Sequence, residues 1–97
     1  MLNQDSPTEF EFDEAKSRLN KQKHGIDFVE AQALWLDPGQ FEFLGRREPE
    51  ARWLVIGMIG EKHWSAVITY RDGRVRIISV RRSRPKEVAY YEGTHQR

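Results

Sequence analysis

The chain has 97 residues, room for one domain and one core but not two. Its 38% hydrophobic content, with three Trp, three Tyr and five Phe, supports a modest core and argues against a disordered chain. Cysteine is absent, which excludes disulfide frameworks, thiol nucleophiles and Cys-based zinc sites, and fits a cytoplasmic location.

No apolar run approaches the ~20 residues that a membrane helix needs, so a soluble, unexported chain with no membrane partner is expected. Net charge is only +1, yet residues 1–50 carry 11 Asp and Glu against 6 Lys and Arg, while residues 51–97 carry 4 against 10. That asymmetry points to a basic face for a polyanion and a separate acidic face, provided the sequence halves are also spatial halves.

In chain order, residues 1–8 read as a loose tail, and "FEFD" (10–13) alternates as a short half-buried strand does. Asp13 can cap a helix over 14–24 that Gly25 ends. Its apolar positions are few, Ala15 and Leu19, so it should lie on the surface. A second helix follows, opened by Asp27 and Glu30 as an approximate capping box, striped by Phe28, Ala31, Leu34 and Trp35, and stopped by "DPG" (37–39).

From there the period changes to two. Strands are expected at 41–45, 52–60, 63–71 and 74–82, with a tight turn around Gly60-Glu61-Lys62 and a hairpin at Asp72-Gly73. Pro85 opens a last helix, 85–93. The expected fold class is α+β: two N-terminal helices and a C-terminal helix packed on an antiparallel sheet of about four to five strands, within one domain over 1–97.

The segments "FEFDEAKSRLNKQKHGIDFVEA", "RWLVIG" and "RIISVRR" followed by a Tyr-Glu helix resemble the BrnT family of bacterial toxins. The match runs over about residues 10–92 and rests on the combination of Lys-His-Gly, Arg-Trp-Leu-Val-Ile-Gly and Arg-Ile-Ile-Ser-x-Arg-Arg. The chain departs from it just before the last helix, where the family carries Thr or Ser and this sequence has Arg84, with Ser83 one residue earlier. The resemblance implies a RelE-like fold and the toxin half of a type II toxin–antitoxin pair. It implies a cytoplasmic ribonuclease that cleaves mRNA, inhibits translation and is silenced by a BrnA-like antitoxin. That antitoxin would be a ribbon-helix-helix protein that alone contacts DNA, in an assembly of two toxins and two antitoxins. The alternatives are a non-catalytic nucleic-acid-binding module and a protein-interaction module.

Cutting RNA without a metal or other cofactor requires a base for the 2′-OH, cations for the phosphorane and an acid for the leaving 5′-oxygen. Metal-ligand spacing is missing around the three His, so no metal site is expected. Strand alternation aims Arg76, Ile78, Val80 and Arg82 one way, and Val75, Ile77, Ser79 and Arg81 the other. Arg81 and Arg82 are the candidate catalytic cations, with Arg76 and Arg84 as phosphate contacts, because the guanidinium fork grips phosphate and keeps its charge. The plainer alternative pairs these arginines with Glu87 or Glu92. His24 is the candidate acid–base group, at a helix C-terminus that favours a cation, with Lys23 beside it on the phosphate. Glu50 could serve as a base and Arg52 as a phosphate contact, unless the two form a plain ion pair. Tyr90 could stack a base while Tyr91 packs in the core. Trp35, Trp53 and Trp64 read as core, and His63 and His95 carry no assignment.

Overall fold

The structure, a computed structural model, describes residues 8–94; Thr8 apart, the expected tail lies outside the described residues, as does His95. The order is β1 (Phe10–Glu11), α1 (Glu14–His24), a 3₁₀ helix (Glu30–Leu36), β2 (Phe41–Arg46), β3 (Arg52–Ile59), β4 (Lys62–Arg71), β5 (Arg74–Arg82) and α2 (Pro85–Thr94). The strands form one five-stranded sheet in the order β1-β5-β4-β3-β2.

β2 to β5 form the expected antiparallel meander. Its last hairpin turns on Asp72 at φ 51° and Gly73 at φ 80°, the paired positive dihedrals that a two-residue primed turn requires. The sheet is nevertheless mixed, not purely antiparallel: β1 lies parallel to β5, with Phe10 opposite Val75 and Glu11 opposite Arg76. The α1 crossover makes this possible, returning the chain across the sheet before the meander begins.

The helices also differ from expectation. Asp13 caps α1 by accepting the Lys16 amide at 2.9 Å, and Gly25 closes it in the left-handed region. Its inward residues, however, are polar: Ser17 and Asn20 are buried, while Leu19 is 61% exposed. The hydroxyl of Ser17 accepts the Phe28 amide at 2.9 Å, and the Asn20 carboxamide bonds the backbone of Ile26 and Val80. The segment expected as a second α-helix is 3₁₀ over Glu30–Leu36, so one N-terminal α-helix is present instead of two. Its capping box does form: Asp27 Oδ1 accepts the Glu30 amide at 2.7 Å and Glu30 Oε1 accepts the Asp27 amide at 2.9 Å. Only seven residues are helical before Asp37-Pro38, and three residues per turn put Ala31 and Leu34, both fully buried, on the sheet.

The sheet thus has two faces. α1 and the 3₁₀ helix cover the face of Val55, Ala66, Ile68, Ile77 and Val80, where the main core forms. α2 lies on the other, where Glu87 meets Ser65 and Tyr90 meets Phe43.

Candidate nucleic-acid interface

An irregularity in β5 decides where its arginines point. Val67 pairs with Ser79 but Ile68 pairs with Ile77, so Ile78 is an extra residue and the alternation breaks there. Val75, Ile77 and Val80 are therefore buried on one face. Arg76 and Arg81 share the opposite, α2 face and Arg82 lies on the core face, a correction to the regular alternation that paired Arg76 with Arg82.

On the α2 face, Arg81 and Glu87 form a two-point pair, Nη1 to Oε1 at 2.8 Å and Nη2 to Oε2 at 2.9 Å. Glu87 Oε1 also accepts the Ser65 hydroxyl and the Arg84 amide, at 2.8 and 2.9 Å. The last contact closes the α2 N-terminus from its third residue, so the cap does not depend on a hydroxyl at position 84. Since the Ser65 proton is committed to Glu87, the Ser83 hydroxyl is the donor in the 2.8 Å Ser83–Ser65 contact. Hydrogen bonding from Arg81 holds the Glu87 carboxyl down at about 2 against the opposing effect of burial, and Glu87 in turn raises Arg81.

Arg82 places its guanidinium 5.6 Å from the Trp64 ring centre and donates from Nε to the His63 carbonyl at 3.3 Å. Among the described residues neither Arg82 nor Arg84 forms an ion pair. Gly25 and Ile26 line a cavity with Trp64, which brings the α1 C-terminus, with Lys23 exposed and His24 half-buried, to the same end of the sheet.

His63, unassigned from the sequence, stands at the same end of the sheet but on the α2 face, opposite to Arg82. Its Nε2 lies 2.7 Å from Glu92 Oε2 and its ring meets Tyr91 edge-on at 5.2 Å. A carboxylate only accepts, so Nε2 carries the proton and the lone pair of the neutral ring is on Nδ1. Twenty-nine residues separate His63 from Glu92, and no local spacing could have announced the pair. Tyr91 is the packed tyrosine and Tyr90 the exposed one, at 8% and 51%. Burial, with the hydrogen bond to Asp37 next, pushes the Tyr91 hydroxyl up to about 12.

The remaining candidates lie at the opposite end of the sheet. Thr69 faces Arg76 across β4–β5 and bonds the Ala51 carbonyl beside Arg52, four residues along β4 from Ser65, the partner of Arg81. Four residues of strand span ~13 Å, so Glu50, Arg52 and Arg76 are not brought to Arg81 and Arg82. Glu50 pairs with Arg71 at 3.3 Å and loosely with Arg52 at 3.8 Å, and Arg76 pairs with Glu11 at 3.1 Å.

By fold and site, this is a small α+β protein with guanidinium and imidazole groups at one end of its sheet, His63 and Arg81 on the α2 face and Arg82 on the core face. Residues 12–87 match the family described as the ribonuclease toxin BrnT of type II toxin–antitoxin systems, and the chain belongs to that family. Membership makes it a ribonuclease toxin with a protein antitoxin as partner. No individually curated protein matches the chain. Among the described residues no helix is long and apolar enough to cross a membrane.

Proposed function

We propose that the chain is a RelE-like endoribonuclease that cleaves mRNA by attack of the 2′-oxygen on the adjacent phosphodiester, and so arrests translation. The observation that carries this reading is the end of the sheet where His63, an imidazole oriented by Glu92 on the α2 face, gives its backbone carbonyl to Arg82 of the other face, and where Arg82 and Arg84 are free of ion pairs among the described residues. In this reading Arg82 and Arg84, with Lys23, hold the phosphate and offset the charge that grows on the phosphorane. A histidine takes the 2′-OH proton, the P–O5′ bond breaks, and the leaving oxygen is protonated, giving a 2′,3′-cyclic phosphate and a 5′-hydroxyl. His24 beside Lys23 and His63 held by Glu92 are the two candidates for that proton transfer, and the fixed tautomer favours His63. Arg81, committed to Glu87, acts as a positioning residue that ties β5 to α2. Arg52 contacts RNA away from the scissile bond, while Glu50 and Arg76 are held in ion pairs with Arg71 and Glu11. The partner is a cognate BrnA-like antitoxin, which would bring DNA binding, in a cytoplasmic two-toxin, two-antitoxin assembly.

The test is incubation of the purified chain with a defined single-stranded RNA in EDTA, with the 3′ ends of the fragments analysed. Cyclic phosphate ends are expected, lost on Arg82→Gln and slowed far more by His63→Gln than by His24→Gln. Uncut RNA, both free and on translating ribosomes, would overturn the proposal.

A further inference from the structure

The α2 face of the sheet is only partly covered. α2 meets it near Ser65, His63 and Phe43, and beyond that end a groove of ≈ 290 Å³ stays open, lined by Phe43, Leu54 and Val67 with Arg46 and Arg52 at its rim. The strand register builds this floor: Phe43 lies opposite Leu54, Leu54 opposite Val67, and Arg46 opposite Arg52. The break in pairing between Leu44 and Arg46 matters here, because it turns Arg46 onto the face that Phe43 already occupies.

Two features of this groove work against stability unless something binds. Like charges directly opposite on neighbouring strands repel, and Arg46 and Arg52 are such a pair. The only carboxylate near Arg52 among the described residues is Glu50, at 3.8 Å and shared with Arg71, and Arg52 Nε is buried with no hydrogen-bond partner. Next to them two large aromatic rings are left in solvent: Phe43 is 37% and Tyr90 51% exposed, their centroids 6.0 Å apart and the rings inclined at 68°. An anion between the guanidiniums would relieve the first feature, and a flat apolar ligand against the rings the second. Arg52 is two residues from Leu54, ~7 Å along β3, which is within the reach of one nucleotide from base to phosphate.

We propose that this groove is a nucleotide subsite for single-stranded RNA, with a phosphate held between Arg46 and Arg52 and the attached base stacked against Phe43 and Tyr90. The subsite rests on the ribonuclease reading and lies away from the end of the sheet that holds His63 and Arg82, so it grips the substrate at a distance from the bond that is cut. A groove with an arginine rim and an aromatic floor suits a backbone that alternates phosphate and base better than it suits an acidic peptide, which offers carboxylates but no stacking plane.

The experiment measures binding of a labelled single-stranded RNA carrying 2′-O-methyl groups throughout, which removes the nucleophile, across a range of salt. Phe43→Leu keeps apolar contact with Leu54 and removes the ring; it and Tyr90→Ala are expected to weaken binding roughly 5- to 100-fold with an unchanged salt slope. Arg46→Gln and Arg52→Gln should each lower the slope of log affinity against log salt by ~0.7. An abasic strand of equal length should bind wild type and Phe43→Leu alike. Ring variants that bind the methylated RNA as tightly as wild type, while unmodified RNA is still cleaved, would overturn the subsite and leave the ribonuclease reading standing. Ring variants that keep RNA affinity but escape inhibition by the co-purified antitoxin would assign the groove to the protein partner and overturn the proposal. Wild type that neither binds nor cuts RNA would sink both.

Discussion

Arg81 and Glu87, six residues apart across the β5–α2 junction, meet through both oxygens of the carboxylate, and Glu87 is almost wholly enclosed while it also receives Ser65 and the Arg84 amide. Glu87 titrates at about 2 in the folded chain against an ordinary 4.5, chiefly because of Arg81. A depressed carboxylate contributes stability that is complete above its unfolded value and disappears as pH falls through the folded one, here from about 4.5 down to about 2. The shift corresponds to on the order of 3 kcal/mol. Glu87→Gln should therefore lower the denaturation midpoint at neutral pH and flatten its fall in acid. Acid limbs that run parallel in the two proteins would contradict the assignment. The same variant frees the Arg81 charge, so its affinity for RNA should rise even as its stability drops.

Asn20 does for β5 what a longer β1 would have done. β1 pairs only with Val75 and Arg76, and further along that edge the carboxamide of Asn20 takes over, donating to the Val80 carbonyl at 2.9 Å and accepting the Val80 amide at 3.2 Å. It also donates to Ile26 at 2.8 Å, which anchors the chain just past the α1 cap. Asn20→Leu removes both partners of a buried strand residue and should cost about 2–4 kcal/mol. Asn20→Asp exchanges two donated bonds for carboxylate–carbonyl repulsion and should cost more. Urea denaturation checks the order; an aspartate variant as stable as wild type would exclude it.

The parts of the fold that were legible in the sequence are those fixed by residues close together in the chain. Asp13, Gly25, the Asp27–Glu30 box, Asp72-Gly73 and Pro85 each act within a few residues, and each stands where its chemistry suggested. What the sequence hid depends on partners from elsewhere. The extra residue at Ile78 exchanges the faces of Arg81 and Arg82 relative to Arg76, and nothing in "RIISVRR" marks it. The docking of α1 through Ser17 and Asn20 runs against hydrophobic patterning, which looks to Ala15 and Leu19. The candidate residues do not form one group: Glu50 and Arg52 stand far along the sheet from Arg81, and His63 meets Glu92 only because α2 folds back to set that carboxylate beside it.

Tyr91 gives the alkaline counterpart of Glu87. Its hydroxyl donates to Asp37 Oδ2 at 2.8 Å, and burial together with that bond raises it to about 12 from an ordinary 10. A raised acid contributes stability that is present below the unfolded value and is lost as pH climbs through the folded one, here from about 10 to about 12. Tyr91→Phe should cost about 1–2 kcal/mol at neutral pH and abolish the part of the alkaline loss that begins near 10. Thermal melts between pH 7 and 11 test this. An unchanged alkaline limb in the phenylalanine variant would assign it to another group.

Asp37 is also why Gly57 cannot carry a side chain without consequence. A Cβ there would come to 3.0 Å from Leu34 Cδ2, 3.1 Å from Gln40 Cβ and 3.2 Å from Asp37 Oδ2. The Leu34 methyl is the end of a flexible side chain and can yield, but Asp37 Oδ2 is held by the Met58 amide at 2.8 Å as well as by Tyr91. The Met58 amide lies beyond the reach of β2, whose pairing ends at Phe41 and Ile56, so this carboxylate finishes the β3 edge and ties it to α2. Gly57→Ala should therefore destabilise by about 1–3 kcal/mol, through overpacking and a displaced Asp37. Because displacement of Asp37 already weakens its bond to Tyr91, Gly57→Ala and Tyr91→Phe should be less than additive when combined. A double-mutant cycle in denaturant measures the coupling. Simple additivity would mean that the strand absorbs the methyl by moving Leu34 alone.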